Sequence, residues 1–336
     1  MARVGLVANP AAGRDIRRLT GGASVVDNRA KRRVAECVAN SLTTVDDPPA
    51  LAVMPDKAGI ARHTVEEAPP GVDAEVLDMD REDSAADSRR AAARFRESAD
   101  AVVVLGGDGT TRDVALEAGD VPLVGVSTGT NNVVPAPVDG TVAGACAAVV
   151  AAGLVDAGAV TRRHGLVEAT VAGEDTSLTG LAAIEVTDTP FIGTRAVVDP
   201  SDLVGGVVSR AHPSEIGLPS VAGCLAPVAP SDPGGAMVRL SAPDAATRTV
   251  NGLVAPGLTT AVGIEEHRRL GWDDPAVFEV ADGVIGADGE RAVELVDGTV
   301  EIAPAANGPR LVDPRRALDA AGEAGVLVRG TAPADD

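Results

Sequence analysis

The sequence predicts an N-terminal α/β domain built on a parallel sheet, followed by a β-rich, sandwich-like C-terminal domain. Two observations predict this fold. Over the first 150 positions of the 336-residue chain, short apolar runs alternate with helical patterns, which is typical of βαβ units and a parallel sheet. After about position 155, valine, threonine and turn residues dominate at the spacing of short strands, which is typical of sandwiches.

In the first domain, predicted strands and helices alternate along the chain. The strands are expected at residues 3–8, 50–54, 73–78, 101–105 and 121–126. The helices are expected at residues 28–41, 57–67, 83–97, 110–118 and 139–152. Because ligands of such sheets bind beyond the carboxyl ends of the strands, the loops after the first, fourth and fifth strands are the candidate binding loops.

The second domain is predicted to contain a series of short strands. They are expected at residues 165–171, 180–187, 194–198, 236–241, 277–280, 292–296 and 299–303. The stretch 199–234 is rich in Gly, Pro and Ser, and we expect it to form a crossing loop or a lid. A helical pattern that begins near Asp313 is expected to pack back on the first domain.

These patterns divide the chain into two domains and a tail. Residues 1–153 together with 309–330 are predicted to form the α/β domain. Residues 154–308 are predicted to form the β-rich domain, and residues 331–336 a disordered tail.

The charge balance indicates the habitat of the protein more than its partners. The chain carries 29 basic and 49 acidic residues, a net charge of −20, so it would repel a nucleic-acid backbone and no nucleic-acid partner is expected. Only two of the cations are lysines, Lys31 and Lys57. An acidic, lysine-poor chain is typical of a halophilic cytoplasm, where molar salt shortens the Debye length to about 3 Å. An ordinary acidic protein from a GC-rich genome is the alternative.

The cysteines and the hydropathy favour a cytoplasmic protein without structural zinc. Cys37, Cys146 and Cys224 show no CxxC spacing, and the four histidines are scattered, so no metal-ligand pattern is present. The first residues resemble a strand more than a signal peptide. No apolar run reaches the roughly 18 residues of a membrane-spanning helix, so no membrane association is expected.

The predicted strand at 101–105 is followed by glycines and one carboxylate at the start of a predicted helix. The sequence continues as Gly106, Gly107, Asp108, Gly109 and Thr110. Glycines let a backbone approach phosphate oxygens closely, and the unpaired N–H groups of a helix N-terminus favour negative charge. A carboxylate at such a place usually orients Mg²⁺ or accepts the proton of an attacking hydroxyl. Asp108 is therefore the candidate catalytic residue; the alternative is a tight turn in which Asp108 caps the helix.

Two companion loops and one arginine add candidate contacts. After the first strand, the stretch from Asn9 to Gly13 offers amide and backbone donors to a diphosphate. The loop after the fifth strand supplies hydroxyl and amide groups from Thr128, Gly129, Thr130, Asn131 and Asn132. The two asparagines are equally typical of caps for the next segment. Arg195 follows the flexible Gly193 and is a candidate phosphate contact, for which a structural ion pair is the favoured alternative.

These motifs resemble those of a known superfamily. The GGDGT stretch, with NPxxG after the first strand, resembles the NAD kinases and the diacylglycerol- or sphingosine-type lipid kinases. Within that superfamily it is most similar to the ATP- or polyphosphate-dependent NAD kinases that include the AcoX-type proteins. Residues 191–197 are similar to a (Y/F)xGxRA segment of this branch, and residues 287–290 to its DG(E/Q) turn. The resemblance spans roughly residues 3–20, 100–150, 180–200 and 280–318.

The resemblance implies an NAD-kinase-like fold and an ATP-dependent NAD kinase. Asp108 would take the proton from the adenosine-ribose 2′-hydroxyl of NAD, while Mg²⁺ offsets the charge of ATP. The residues implied to line the phosphate path are Gly106, Gly107, Gly109 and Thr110. Asn9 would hold the donor or the dinucleotide diphosphate, and Asp288 is a further candidate contact that also fits a hairpin turn. The expected partners are small nucleotides, and oligomeric relatives make a homo-oligomer a further expectation.

The sequence also departs from the family pattern. Typical NAD kinases carry an Asn-Glu pair some way after GGDGT, and no clear pair is present here. Glu185 or Asp188 could substitute for it. Lipid kinases place Asn-Glu directly after GGDGT, where this chain has Arg112 and Asp113, which counts against a lipid acceptor. A kinase for a lipid or another small hydroxyl compound, and a non-catalytic nucleotide-binding regulator, are the alternatives to an NAD kinase.

Overall fold

A computed structural model of the chain describes residues 1–12, 26–129, 132–190 and 202–328. The strand predicted at 194–198 and the tail at 331–336 lie outside these residues. Among the described helices, none combines the length and apolar character needed to cross a membrane.

The helices agree with the sequence prediction in the first domain, with small shifts at their ends. In chain order they are α1 (Asn28–Ser41), α2 (Ile60–Glu66), α3 (Ala85–Ser98), α4 (Asp108–Ala118), α5 (Gly140–Ala151), α6 (Ala157–Val160), α7 (Leu218–Leu225) and α8 (Pro314–Glu323). Several begin at side-chain caps that the sequence supplies. Asp27, Ser84 and Asp139 each accept an N–H from the first turn of the helix that follows.

The strands form two separate sheets. In chain order they are β1 (Arg3–Ala8), β2 (Ala50–Val53), β3 (Ala74–Val76), β4 (Ala101–Gly106), β5 (Leu123–Ser127), β6 (Thr161–Arg163), β7 (Leu166–Val171), β8 (Ser177–Gly180), β9 (Ala183–Thr187), β10 (Leu203–Val208), β11 (Gly235–Ser241), β12 (Arg248–Ala255), β13 (Leu258–Leu270), β14 (Ala276–Ala287), β15 (Glu290–Ala305) and β16 (Arg310–Val312).

The first sheet has seven strands in the order β3-β2-β1-β4-β5-β16-β6. The pairs from β3 to β5 are parallel, β16 joins β5 in parallel, and β6 is antiparallel to β16. Residues of β4 are buried alternately on the two faces. Val103 packs in a core with α1, α5 and α8, and Val104 packs in a core with α3 and α4. Helices therefore cover both faces, as the continuous apolar strand predicts.

The second sheet is antiparallel and has nine strands in the order β12-β13-β11-β10-β9-β14-β15-β7-β8. The predicted strands at 277–280, 292–296 and 299–303 are parts of one long hairpin, β14–β15. Its two-residue turn consists of Asp288 and Gly289, both with positive φ, 55° and 79°. This is the conformation that favours Asp-Gly in tight hairpins. The fold class predicted from the sequence is thus confirmed.

The stretch 199–234 is not only a loop. Among its described residues, 203–208 form β10 in the middle of the second sheet, and 218–225 form α7. The prediction missed β10 because Gly205 and Gly206 interrupt its apolar pattern. These glycines allow close packing, since a Cβ on Gly206 would lie 2.2 Å from the carbonyl oxygen of Ile184 on the neighbouring strand.

Candidate functional site

Asp108 begins α4, but it does not cap that helix. The cap residue is Gly107, and no side chain makes a capping hydrogen bond at this helix N-terminus. The Asp108 carboxylate instead accepts the N–H groups of Val133 and Val134, each at 2.8 Å. Asp108 is buried, with 4% of its surface exposed. The capping alternative is therefore wrong, because the carboxylate bridges α4 and the segment that follows β5.

The loop after β1 touches the start of α4, as the sequence predicts. Asn9 Nδ2 donates to Thr110 Oγ1 at 2.9 Å, and the Asn9 side-chain oxygen accepts the N–H of Ala11 at 2.8 Å. The Asn9 backbone N–H bonds to the carbonyl of Leu105 at 3.2 Å. Asn9 thus joins the ends of β1 and β4, where a phosphate-binding loop is expected.

The loop after β5 packs directly on the glycines before α4. The N–H of Thr128 bonds to the carbonyl of Gly106 at 2.9 Å. A Cβ on Gly129 would lie 2.8 Å from Gly107 Cα, so only a glycine permits this contact. Within the described residues, neither the buried Thr128 Oγ1 nor Asn132 Oδ1 has a hydrogen-bond partner.

Some candidate residues lie outside the described part of the chain. They are Gly13, Thr130, Asn131 and Arg195. Their proposed contacts stay predictions from the sequence.

Asp288, in the turn between β14 and β15, is brought next to the start of α4. Its carboxylate accepts the N–H groups of Leu181, Ala182 and Ala183 at 2.7–3.2 Å. Arg112 Nη1, one turn into α4, lies 3.1 Å from Asp288 Oδ2. The Asp288 side chain is fully buried, and that of Arg112 is 12% exposed. Asp288 is thus both the hairpin residue and a neighbour of the candidate catalytic carboxylate.

Asp108 and Asp288 line one cavity. The residues that line it are Asp108, Val133, Ala182, Ala183, Glu185, Leu203, Ile216, Gly217, Leu218, Val254, Asp288 and Gly289. Its walls come from the start of α4, the segment after β5, strands of the second sheet and the start of α7, and they combine buried carboxylates with aliphatic side chains. This combination is typical of a small-molecule site.

Burial, and after it the negative charge of Asp288, raises the pKa of Asp108 from its ordinary value of 3.8 to about 7. The N–H groups of Val134 and Val133 act in the opposite direction, as does the positive charge of Arg210. A carboxylate that holds a proton this tightly accepts one more readily than an exposed aspartate does. Asp108 therefore has the chemistry of a general base.

The structure separates the two acids that the sequence left as alternatives. Glu185, on β9, is buried and lines the cavity. Its carboxylate oxygens accept the N–H of Gly289 at 3.2 and 3.3 Å. Asp188 is exposed, beyond the end of the same strand. Glu185 is thus the acid that can contact a ligand in the cavity.

No metal-binding cluster accompanies these acids. Within the described residues, no group of three or more His, Cys, Asp or Glu side chains is placed to hold a metal ion. Mg²⁺ in phosphoryl-transfer sites usually takes few protein ligands and completes its shell with substrate phosphates and water. A magnesium ion carried on the phosphates of a nucleotide is consistent with this arrangement.

Lys31 is a functional candidate that the sequence reasoning missed. It lies on α1 and is fully buried, and its Nζ donates to the carbonyls of Asn9 and Ala12 at 2.9 and 2.6 Å. It therefore holds the loop after β1 in place. Its neighbours Arg32 and Arg33 make it resemble a solvated basic run, and its only signal is that lysine is so rare in this chain.

We expect Lys31→Met to lower the free energy of unfolding by about 2 kcal/mol, because it leaves two half-buried carbonyls without their donor. The matched control is Lys57→Met. Lys57 is exposed, and its Nζ lies 3.7 Å from Asp83, so its loss should cost less than about 0.5 kcal/mol. Urea unfolding at one fixed salt concentration measures both. Equal effects would contradict the structural role of Lys31.

Two family models together match most of the chain. Residues 4–153 match the family model for the ATP-NAD kinase N-terminal domain, and residues 165–307 match that for the acetoin catabolism protein X C-terminal domain. The chain is 33% identical over 299 residues to acetoin catabolism protein X of Cupriavidus necator, covering 86% of this chain and 83% of the relative.

One solved structure shows the same fold at low identity. The crystal structure of yeast NADH kinase complexed with NADH matches with a TM-score of 0.53 and 12% identity, covering 100% of this chain and 90% of that one. At this identity the likeness concerns the fold alone. The resemblance stated from the sequence motifs is confirmed by the family models and the relative: the chain belongs to the ATP-NAD kinase and acetoin catabolism protein X family.

Proposed function

We propose that the protein is an NAD kinase, which transfers a phosphoryl group from ATP or polyphosphate to the adenosine-ribose 2′-hydroxyl of NAD and so makes NADP. The observation that carries the proposal is the Asp108 carboxylate. It is buried at the N-terminus of α4 and lines a cavity whose other walls come mainly from the second sheet. Its pKa of about 7 suits a group that takes a hydroxyl proton near neutral pH.

The loops around Asp108 supply the donor side of the reaction. The backbone N–H groups from Gly106 to Thr110, at the start of α4, favour the negative charge of a bound phosphate. Beside this helix start, the buried Thr128 hydroxyl has no hydrogen-bond partner within the described residues, and Asn9 bonds to Thr110. Phosphoryl transfer needs mainly such positioning and electrostatic stabilisation. When bound with ATP, Mg²⁺ offsets the charge that repels the nucleophile.

The cavity itself supplies the acceptor side. Asp108 and Glu185 offer carboxylate oxygens to hydroxyl or amide groups, and aliphatic residues such as Leu218 and Val254 line the same cavity. These carboxylates suit a polyhydroxylated acceptor such as a ribose. The aliphatic wall is the observation that favours the second candidate, a kinase for a lipid or small hydroxyl compound. The cytoplasmic location and the homo-oligomer stay predictions from the sequence.

One experiment separates these functions. Purified protein is incubated at high salt with Mg²⁺, either ATP or polyphosphate, and NAD⁺, and NADP⁺ is measured with an NADP-specific dehydrogenase. A parallel reaction offers diacylglycerol in mixed micelles. NADP⁺ formation supports the proposal. Lipid phosphorylation without NADP⁺ would establish the second candidate, and binding of ATP without any product would make the protein a nucleotide-binding regulator.

We expect Gly129→Ala to weaken ATP binding about tenfold, or about 1.4 kcal/mol. The new Cβ would lie 2.8 Å from Gly107 Cα and 2.5 Å from Asn132 Oδ1, so the two phosphate loops must move apart. The matched control is Gly322→Ala on α8, far from these loops, whose Cβ meets nothing within 4 Å. Titration calorimetry with ATP compares them. Equal affinities would remove the loop after β5 from the site.

A further inference from the structure

A second carboxylate stands beside the proposed base, and the fold fixes it there. The donors on Asp288 come from two sides of the cavity: backbone N–H groups between β8 and β9, and Arg112 of α4. An aspartate is one of the few residues that adopts the left-handed conformation of this turn. Such anchoring leaves the carboxylate no freedom to turn away from Asp108.

We propose that Asp288 is a positioning residue for the phosphoryl transfer, whose fixed, buried carboxylate makes Asp108 a stronger base than a lone aspartate in the same place. The inference rests on the proposed function. Two carboxylates that share a poorly solvated cavity resist being ionised together. One of them therefore keeps a proton to higher pH, and the raised pKa of Asp108 is consistent with this.

Arg210 provides the opposing charge. It follows β10, and its Nε donates to Glu215 Oε1 at 2.6 Å, which anchors the guanidinium. The neighbouring Ser209 is fixed too, since its hydroxyl bonds to the carbonyl of Leu181 at 2.7 Å. The positive charge of Arg210 lowers the pKa of Asp108. Asp288 and Arg210 thus act on the same base with opposite signs.

Other charged groups lie near Asp108 and are unchanged in the variants compared below. They are Arg112 from α4, Glu185 from β9 and Glu290 from β15. Because they are present in every variant, a difference between variants reports the substituted group.

The test measures the pH dependence of kcat/KM for NAD in wild type, Asp288→Asn and the double variant Arg210→Gln with Glu215→Gln. The Asn side chain keeps an oxygen for the N–H groups of Leu181 to Ala183, and the double variant leaves no buried charge unpaired. The acidic limb should move to lower pH by about one unit in Asp288→Asn. It should move to higher pH in the double variant. A purely structural role predicts lower activity without opposite shifts.

A second readout does not depend on turnover. Carboxyl ¹³C NMR follows the titration of Asp108, identified by its absence in Asp108→Asn. We expect its midpoint to fall in Asp288→Asn, and the wild-type Asp288 signal to respond as Asp108 titrates. An unchanged midpoint, or no response in the wild type, would overturn the inference even if NADP⁺ is made. If no NADP⁺ forms, the proposed function fails, and the NMR shifts still decide the coupling of the two carboxylates.

Discussion

Asp108→Asn is expected to lower turnover at least about 100-fold, because it removes the group that takes the hydroxyl proton. The KM for NAD should change little. An asparagine keeps one oxygen for the N–H of Val133 or Val134, so the fold should persist. Steady-state kinetics with NAD⁺ and ATP measures the loss. A variant that retains wild-type turnover would remove Asp108 from catalysis.

The unfolding free energy of the same variant, relative to wild type, should change with pH in a defined direction. Because the pKa of Asp108 is raised from 3.8 to about 7 in the folded state, the wild type loses stability as the pH rises through this range. Asparagine carries no such dependence. The unfolding free energy of Asp108→Asn relative to wild type should therefore increase between pH 4 and pH 7. A difference that stays constant with pH would contradict the raised pKa.

Asp113→Asn is the matched control for Asp108→Asn. Asp113 is also buried on α4, but its carboxylate accepts two bonds from Arg89, at 2.7 and 2.9 Å, away from the cavity. This variant should lower stability and keep its turnover per folded molecule. Equal losses of turnover in both variants would mean that Asp108 acts only through the helix.

Arg112→Met is expected to destabilise the protein by about 3 kcal/mol. Arg112 bonds to the buried Asp288 at 3.1 Å, and breaking a buried pair from one side leaves an uncompensated charge. The substitution also loosens the only described ion pair between α4 and the β14–β15 hairpin. Guanidinium unfolding measures the loss, with a dehydrogenase-coupled assay to follow activity.

The control for Arg112→Met is Arg62→Met. Arg62 lies 3.7 Å from Glu66 on the surface of α2, and both side chains are mostly exposed. Such pairs contribute about 0–1 kcal/mol. If Arg62→Met costs as much as Arg112→Met, the ion pair between Arg112 of α4 and Asp288 has no special role in stability.

The sequence predicts local structure well where one element carries its own signal. The alternation of Val103 and Val104 on a fully apolar strand requires helices on both faces, and the structure has them. The strand β10 escapes prediction because its glycines serve contacts with β9 and β11, which only the folded sheet supplies.

The candidate site, too, could be predicted only in part from the sequence. The glycines around Asp108 predict a phosphate-binding loop, because the whole signal lies within ten residues of sequence. The two charges that shift the pKa of Asp108 lie far along the chain. Asp288 lies in the β14–β15 turn, and Arg210 follows β10, a strand that the sequence does not predict. The role of Lys31 is not predictable from the sequence, because burial of a lysine depends on the loop that its ammonium group holds. Long-range charge pairs of this kind leave no local pattern.

A crystal structure with NAD and a non-hydrolysable ATP analogue tests the central claim most directly. The account predicts the ribose 2′-oxygen of the adenosine half within hydrogen-bond distance of an Asp108 carboxylate oxygen, about 3 Å. It also predicts the γ-phosphate beside the loops after β1 and β5. An adenosine ribose bound elsewhere, with Asp108 facing only Val133 and Val134, would contradict the assignment of Asp108 as the base.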